Sequence, residues 1–232
     1  MRAGVLHAPR DLRVQEWPDP VPGPDDVVVE VVRNGLCGTD ATEYAAGPLM
    51  VPLTVAHPGS GHRGPTVLGH EFVGTVVAAG SAARLQVGQR VACGAGVSCG
   101  ACAWCRAGRT NLCERYYTLG LSTHGGLAEF VAAPASTCVP IPDACDWDEA
   151  VLAQPLAVGI HAVAQSGPGL TGPVVLLGVG AIGSFVCAAL EAHDVEIVAV
   201  DVDQARLDVA RTLGAARTVL LPPGQDVDLR DV

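Results

Sequence analysis

The chain has 232 residues, 49% of them hydrophobic, which is enough to bury one or two cores and excludes a disordered chain. Its net charge is -10 and all fourteen basic residues are arginine, so a phosphate-tracking surface, nucleic acid as a partner and any Schiff-base or P-loop lysine are excluded as readings. No apolar stretch approaches the roughly 18 to 20 residues that cross a bilayer and the N-terminus lacks a signal-peptide core, so no membrane partner is expected and a cytoplasmic location is.

In chain order, short β-like runs at 1–7, 12–17 and 27–32 are separated by the turns Pro18-Asp19-Pro20 and Pro22-Gly23-Pro24, and predict a small barrel-like sheet. The chain turns at Asn34-Gly35-Leu36-Cys37-Gly38, where Thr39 or Asp40 is placed to cap a short helix through Ala46. That sets Cys37 at a rigid strand-to-helix corner. A loop over 47–66 carries His57 and His62 among glycines and prolines, where histidines are solvated more often than they are ligands. A strand is expected over 67–79, entered through Gly69-His70-Glu71, and another over 88–92. Cys37, His70 and Glu71 supply a thiolate, an imidazole and a carboxylate, the ligand types of zinc, and a catalytic zinc keeps one position open for water or substrate.

Nine cysteines in a cytosolic-looking chain, four of them tightly spaced, point to metal rather than disulfides. Cys99, Cys102, Cys105 and Cys113 are separated by two, two and seven residues, short enough to wrap four thiolates around one ion with no position left for substrate. Structural zinc is preferred there over an iron–sulfur cluster, since no redox-partner features accompany it. Cys93, Cys138, Cys145 and Cys187 read as packing thiols.

A return strand is expected over 125–131 and a helix over 148–165. Strands at 173–177, 196–201 and 217–221 then alternate with helices at 181–193 and 204–213, one complete βαβαβ unit. The turn Gly178-Val179-Gly180-Ala181-Ile182-Gly183 follows a strand and opens a helix, the arrangement that seats a dinucleotide's pyrophosphate on a helix N-terminus. Asp201, ending the next strand, would accept the ribose hydroxyls and repel the extra phosphate of NADP, so NAD is the expected cofactor. Arg206 could assist a 2′-phosphate, but one turn into its helix it is better placed to pack by the adenine.

Cys37-Gly38-Thr39-Asp40, Gly69-His70-Glu71 with Gly74 and Gly80, the four-cysteine lobe and Gly178-x-Gly180-x-x-Gly183 occur in one order over the whole chain, which thereby resembles the zinc-dependent medium-chain dehydrogenase/reductase family. Glu43-Tyr44, Gly47-Pro48 and the long loop before Gly69 look like 2,3-butanediol dehydrogenases, with sorbitol and threonine dehydrogenases close behind. The resemblance implies an α/β fold with a β-rich N-terminal part. A GroES-like, barrel-type zinc-binding catalytic domain would occupy 1–150, with a structural zinc lobe at 93–115. The first half of a Rossmann-type NAD-binding domain would occupy 151–232, with its second half beyond the chain and a homo-oligomer where the full fold is present.

The same resemblance implies two zinc ions. One is structural, on Cys99, Cys102, Cys105 and Cys113. The other is catalytic, on Cys37 and His70, with Glu71 as ligand or behind the ligands and a further carboxylate from a Glu-Pro pair, which here reads Gln154-Pro155. The family's relay histidine is replaced by Thr42. The implied reaction moves hydride between a secondary alcohol (diol, polyol or amino alcohol) or its ketone and NAD, with zinc as Lewis acid and Thr39 as the first proton carrier. Gln154 and Thr42 remove a charge and a relay, so a redox-silent family member or a truncated product that binds zinc and part of a nucleotide is the alternative.

Overall fold

A computed structural model describes residues 1–167, 169–222 and 224, and the chain divides into two compact units, Met1–Gln154 and Pro155–Val232. The end of the expected second domain, 225–232, together with Pro168 and Pro223, lies outside the described residues.

The first unit contains strands β1 (Arg2–Ala8), β2 (Asp11–Glu16) and β3 (Asp26–Gly35), helix α1 (Gly38–Ala46), and strands β4 (Thr66–Val67), β5 (Glu71–Ala79), β6 (Arg90–Cys93) and β7 (Gly96–Val97). Helix α2 (Ala103–Arg106), strands β8 (Tyr117–Thr118), β9 (Phe130–Pro134) and β10 (Cys138–Pro140), and helix α3 (Trp147–Ala150) complete it. The strands form sheets ordered β2-β1-β4, β10-β6-β5-β3-β9 and β7-β8. Valine-rich β3 lies inside the five-stranded sheet because β-branched side chains fill a pleated core face. Val27, Val29, Phe72, Val76, Val91, Val131 and Ala133 make that core.

Several boundaries differ from expectation, most of them for a local reason. The strand predicted over 67–79 is broken into β4 and β5, since Gly69 takes a φ of +92° and turns the chain. Cys37, not Thr39 or Asp40, is the N-cap of α1, and Asp40 reaches back from the third helical position to the Cys37 N–H at 3.0 Å. The return strand starts at Phe130 rather than 125. The helix expected over 148–165 is two, α3 and α4 (Ala153–Gln165), because Pro155 has no N–H for the carbonyl of Val151. Asp146 and Glu149 form a capping box for α3. Arg90 holds the segment before it: its guanidinium donates to the carbonyls of Asp143 (2.8 Å) and Cys145 (2.7 Å) and lies 4.0 Å from the Trp147 ring centre.

In the second unit α4 precedes β11 (Val174–Leu177), α5 (Ala181–Leu190), β12 (Ile197–Asp201), α6 (Gln204–Thr212) and β13 (Arg217–Leu220), and the three strands pair in parallel in the order β11-β12-β13. Strand β12 is buried along its whole length, as the middle strand of a parallel sheet must be. Ile197 and Ala199 pack against Cys187 and Leu190 of α5 and Leu207 and Ala210 of α6. Among the described residues no helix is long and apolar enough to cross a membrane.

His124 packs edge-on to His62, ring centres 4.5 Å apart, and its Nδ1 accepts the Val67 N–H at 3.2 Å. Burial, and then the neighbouring His62, push its pKa down from 6.5 to about 4. Between those values the unfolded chain binds a proton that the folded chain refuses, so this contribution is complete above pH 6.5 and is lost as pH falls towards 4. His124→Asn keeps an acceptor for Val67 but does not titrate. Its urea-unfolding free energy should fall less than the wild type's across that window, by on the order of 1–2 kcal/mol after allowing for the partly exposed ring. Parallel pH curves for the two proteins would refute the assignment.

Candidate active site

The ladder between β3 and β5 carries two register shifts and ends with Gly35 opposite Glu71. Cys37 and His70, each just outside its strand, therefore leave the same end of the sheet. Gly69 makes the turn into His70, and its carbonyl accepts the Gly126 N–H at 2.8 Å. The ligand atoms of Cys37, His70 and Glu71 lie within 4.8 Å of one another, with His70 and Glu71 buried. Two side chains 33 positions apart thus converge, as the sequence reading required.

Asp40 is the residue that reading missed in this role. One carboxylate oxygen takes the Cys37 N–H, and the other, Oδ1, stands 3.4 Å from His70 Nδ1. Both Oδ1 and Nδ1 are buried without a hydrogen-bond partner. Burial opposes a charge on His70, yet Asp40 and then Cys37 outweigh it and raise the imidazole's pKa from 6.5 to about 9. A carboxylate facing Nδ1 orients the ring, which is how ligating histidines are supported. The signal in the sequence was the spacing Cys-x-x-Asp, which on a helix start places the acid beside its own N-cap. These orphaned polar atoms and this donor set fit a zinc ion.

Around the cluster, the Thr39 hydroxyl lies 3.6 Å from the Cys37 sulfur. Thr42 is exposed and donates its hydroxyl to the Gly38 carbonyl at 2.9 Å. The loop histidines are structural: His57 Nδ1 accepts the N–H groups of Gly59 and Ser60, and His62 Nε2 meets the Thr66 hydroxyl at 2.9 Å. Gln154 is half-buried in the first turn of α4.

The ligand atoms of Cys99, Cys102, Cys105 and Cys113 also lie within 4.8 Å of one another. Sulfur separations of 3.5 Å for Cys102–Cys105 and 4.0 Å for Cys99–Cys105 bracket the edge of about 3.8 Å that four metal–sulfur bonds of ~2.3 Å describe. Backbone amides point at the sulfurs: Ala101 and Cys102 at Cys99, Cys105 at Cys102, and Cys99 and Arg115 at Cys113. Those donors bring the Cys99 pKa down from 9.0 to about 6, whereas burial and then its sulfur neighbours push Cys105 up to about 11. Amides aimed at sulfur favour thiolates, the form a metal binds, so this lobe too fits zinc.

In the glycine-rich turn, a Cβ on Gly183 would collide with the carbonyl of Gly178, so only glycine lets α5 begin this close to β11. Gly180 is the N-cap of α5, whose first turn holds Ala181 and Ile182. Asp201 is buried; its Oδ2 accepts the Val179 N–H at 2.8 Å and its Oδ1 the Asp203 N–H at 3.0 Å. Burial works against its charge, but these amides and Arg206 hold the carboxyl below its usual range. Arg206 is half-exposed, 3.7 Å from Asp201 and 3.8 Å from Asp203.

Residues 23–143 match the alcohol dehydrogenase GroES-like domain. The chain belongs to the zinc-dependent medium-chain dehydrogenase/reductase family. Among medium-chain relatives it is similar to an (R,R)-butanediol dehydrogenase of Neisseria gonorrhoeae, 33% identical over 98% of this chain and 65% of the relative. A sorbitol dehydrogenase of Bombyx mori is 34% identical over 94% of this chain and 62% of the relative. The crystal structure of 2R,3R-butanediol dehydrogenase from Bacillus subtilis superposes with a TM-score of 0.85 at 30% identity, covering 98% of this chain and 65% of that one. The chain thus spans a little under two thirds of the length of these medium-chain dehydrogenases.

The four-cysteine lobe of this family member makes a testable statement about its thiols. Metal-loaded protein should resist alkylation at Cys99, Cys102, Cys105 and Cys113 at pH 7, and a chelator should open all four to labelling, because a thiolate tied up in a metal bond does not react. Peptide mass mapping reads the four sites; labelling that the chelator leaves unchanged would contradict a metal held by this lobe.

Proposed function

We propose that this chain carries the zinc-binding catalytic domain and the first half of the cofactor domain of a dehydrogenase that moves hydride between a secondary alcohol and NAD. The convergence of Cys37, His70 and Glu71, backed by buried Asp40, is the observation that supports it most. Cys37 and His70 would hold the catalytic zinc, with Glu71 beside it, and Cys99, Cys102, Cys105 and Cys113 a structural zinc. When bound, the catalytic ion supplies Lewis acidity that makes the substrate hydroxyl more acidic.

The chain's own residues do the rest. Asp40 orients His70. Thr39, close to the Cys37 sulfur and able to accept and donate, would relay the hydroxyl proton, giving up its own as it accepts the substrate's. Thr42 cannot replace a relay histidine while its hydroxyl serves the Gly38 carbonyl, so the proton released by Thr39 would go to water, or to the ribose of a bound cofactor. The N–H groups at the start of α5, with Gly178, Gly180 and Gly183, receive the pyrophosphate. Asp201 keeps lone pairs for the ribose hydroxyls and repels a 2′-phosphate, and Arg206 is already paired with Asp201 and Asp203, so NAD is favoured over NADP. The diol and polyol dehydrogenases it resembles support vicinal diols, polyols and hydroxy amino acids as the substrate class. The thiol-rich lobe suits the reducing cytoplasm.

Purified full-length protein, with the cofactor domain complete, given NAD and a panel of vicinal diols, polyols and hydroxy amino acids should produce NADH absorbance. Silence across the panel with two zinc equivalents bound would leave the redox-silent reading in its place. Gln154 stands where the family's Glu-Pro pair has a carboxylate, and an amide there removes one negative charge beside the ion. Gln154→Glu should strengthen zinc retention about tenfold in competition with a chelator and raise turnover. Unchanged metal affinity would place this side chain away from the ion.

A further inference from the structure

Cys93 on β6 and Cys138 on β10 belong to neither metal group. They are register partners across the ladder, and their sulfurs stand 3.0 Å apart in the core of the five-stranded sheet. The Gly94 N–H donates to the Thr137 carbonyl at 2.8 Å, one step further along, which makes the cysteine pair a rung without hydrogen bonds of its own. On such a rung the Cα atoms lie about 4.5 Å apart, inside the roughly 4.4–6.8 Å over which a disulfide closes without moving the backbone. Packing alone asks only for two small apolar groups here; it does not require both to be sulfur, in contact.

Access comes from the position of β10. It is the edge strand of its sheet, three residues long, with Val139 62% exposed, so it can open locally while the rest of the sheet stays closed.

We propose that Cys93 and Cys138 are a redox modification site, closing a reversible disulfide between β6 and β10 when a low-molecular-weight disulfide serves as oxidant. The Cys138 thiolate attacks one sulfur of that disulfide and expels the other as a thiolate, giving a mixed disulfide. Cys93 then loses its proton, attacks the Cys138 sulfur and expels the second small thiolate. Two protein thiols are oxidised, one disulfide is reduced to two thiols, and the two protein protons end on the leaving groups. Cys138 is the better first attacker, since the hydrogen bond from Cys93 holds its thiol below the ordinary value, whereas that contact and burial raise Cys93. The closed loop contains the whole lobe at 99–113, so the bridge tethers both of its ends whatever its metal content. The proposal is independent of the hydride-transfer reading.

Zinc-loaded protein treated with excess oxidised glutathione, then alkylated and mapped without reduction, should yield one peptide pair joined through Cys93 and Cys138. Its mass should be about 2 Da below the sum of the separate peptides, for the two hydrogens lost on bridging. Dithiothreitol should abolish it, metal content should stay constant, and the oxidised form should melt several degrees higher. Cys93→Ala and Cys138→Ala should each lose the rise in Tm. Recovery of the two cysteines singly alkylated, or carrying glutathione without ever joining, overturns the proposal, as does a rise that persists in either variant. Where a variant fails to fold, the wild-type peptide map decides alone.

Discussion

The pairing of β3 with β5 is the constraint from which the rest of the catalytic unit follows. Each strand carries one extra residue relative to the other, at Val28/Val29 and again at Val31/Arg33, and the two shifts cancel. The ladder can therefore end with Gly35 facing Glu71. A slip of one residue would turn every side chain on β5 to the other face, sending Phe72 and Val76 out of the core and His70 away from Cys37. The energy that holds the register comes from ordinary apolar burial at Val27, Val29, Phe72 and Val76, all in the core of the sheet. Packing of the sheet and assembly of the ligand set are one event.

What the sequence made legible depended on how local each feature is. The cysteine lobe was readable from spacing alone, because four ligands within fifteen positions leave little choice of geometry. Cys37 and His70 were readable by residue type and by the resemblance, since nothing in periodicity brings distant segments together. Asp40 was visible only as a capping residue; that its second oxygen faces an imidazole depends on the same long-range register. The break at Gly69 and the split between α3 and α4 were written in Gly69 and Pro155, yet the apolar runs through both positions outweighed them. The late start of β9 had no local sign, because 125–129 is held by backbone contacts to β4, Gly69 and β1 rather than by its own pattern.

In the second unit the residue proposed for ribose recognition also has a structural task. Asp201 binds the Val179 amide and so fixes the glycine-rich turn from the neighbouring strand. An aspartate at the end of β12 is therefore needed for the shape of the turn before any nucleotide arrives. Because the same carboxylate also anchors Asp203, which caps α6, the turn and that helix are set by one buried charge.

The lobe at 99–113 has almost no interior of its own. Helix α2 and the short turn at Thr110–Leu112 bury none of their residues, and Trp104 and Leu112 face solvent. Without apolar burial to offset the entropy of ordering, its conformation rests on whatever gathers the four sulfurs. With the proposed zinc on these sulfurs, zinc scarcity in a cell would be felt unevenly along this polypeptide: sheets that fold on valine and phenylalanine would stay assembled, while this one surface projection would lose definition and become the place where quality-control proteases first take hold.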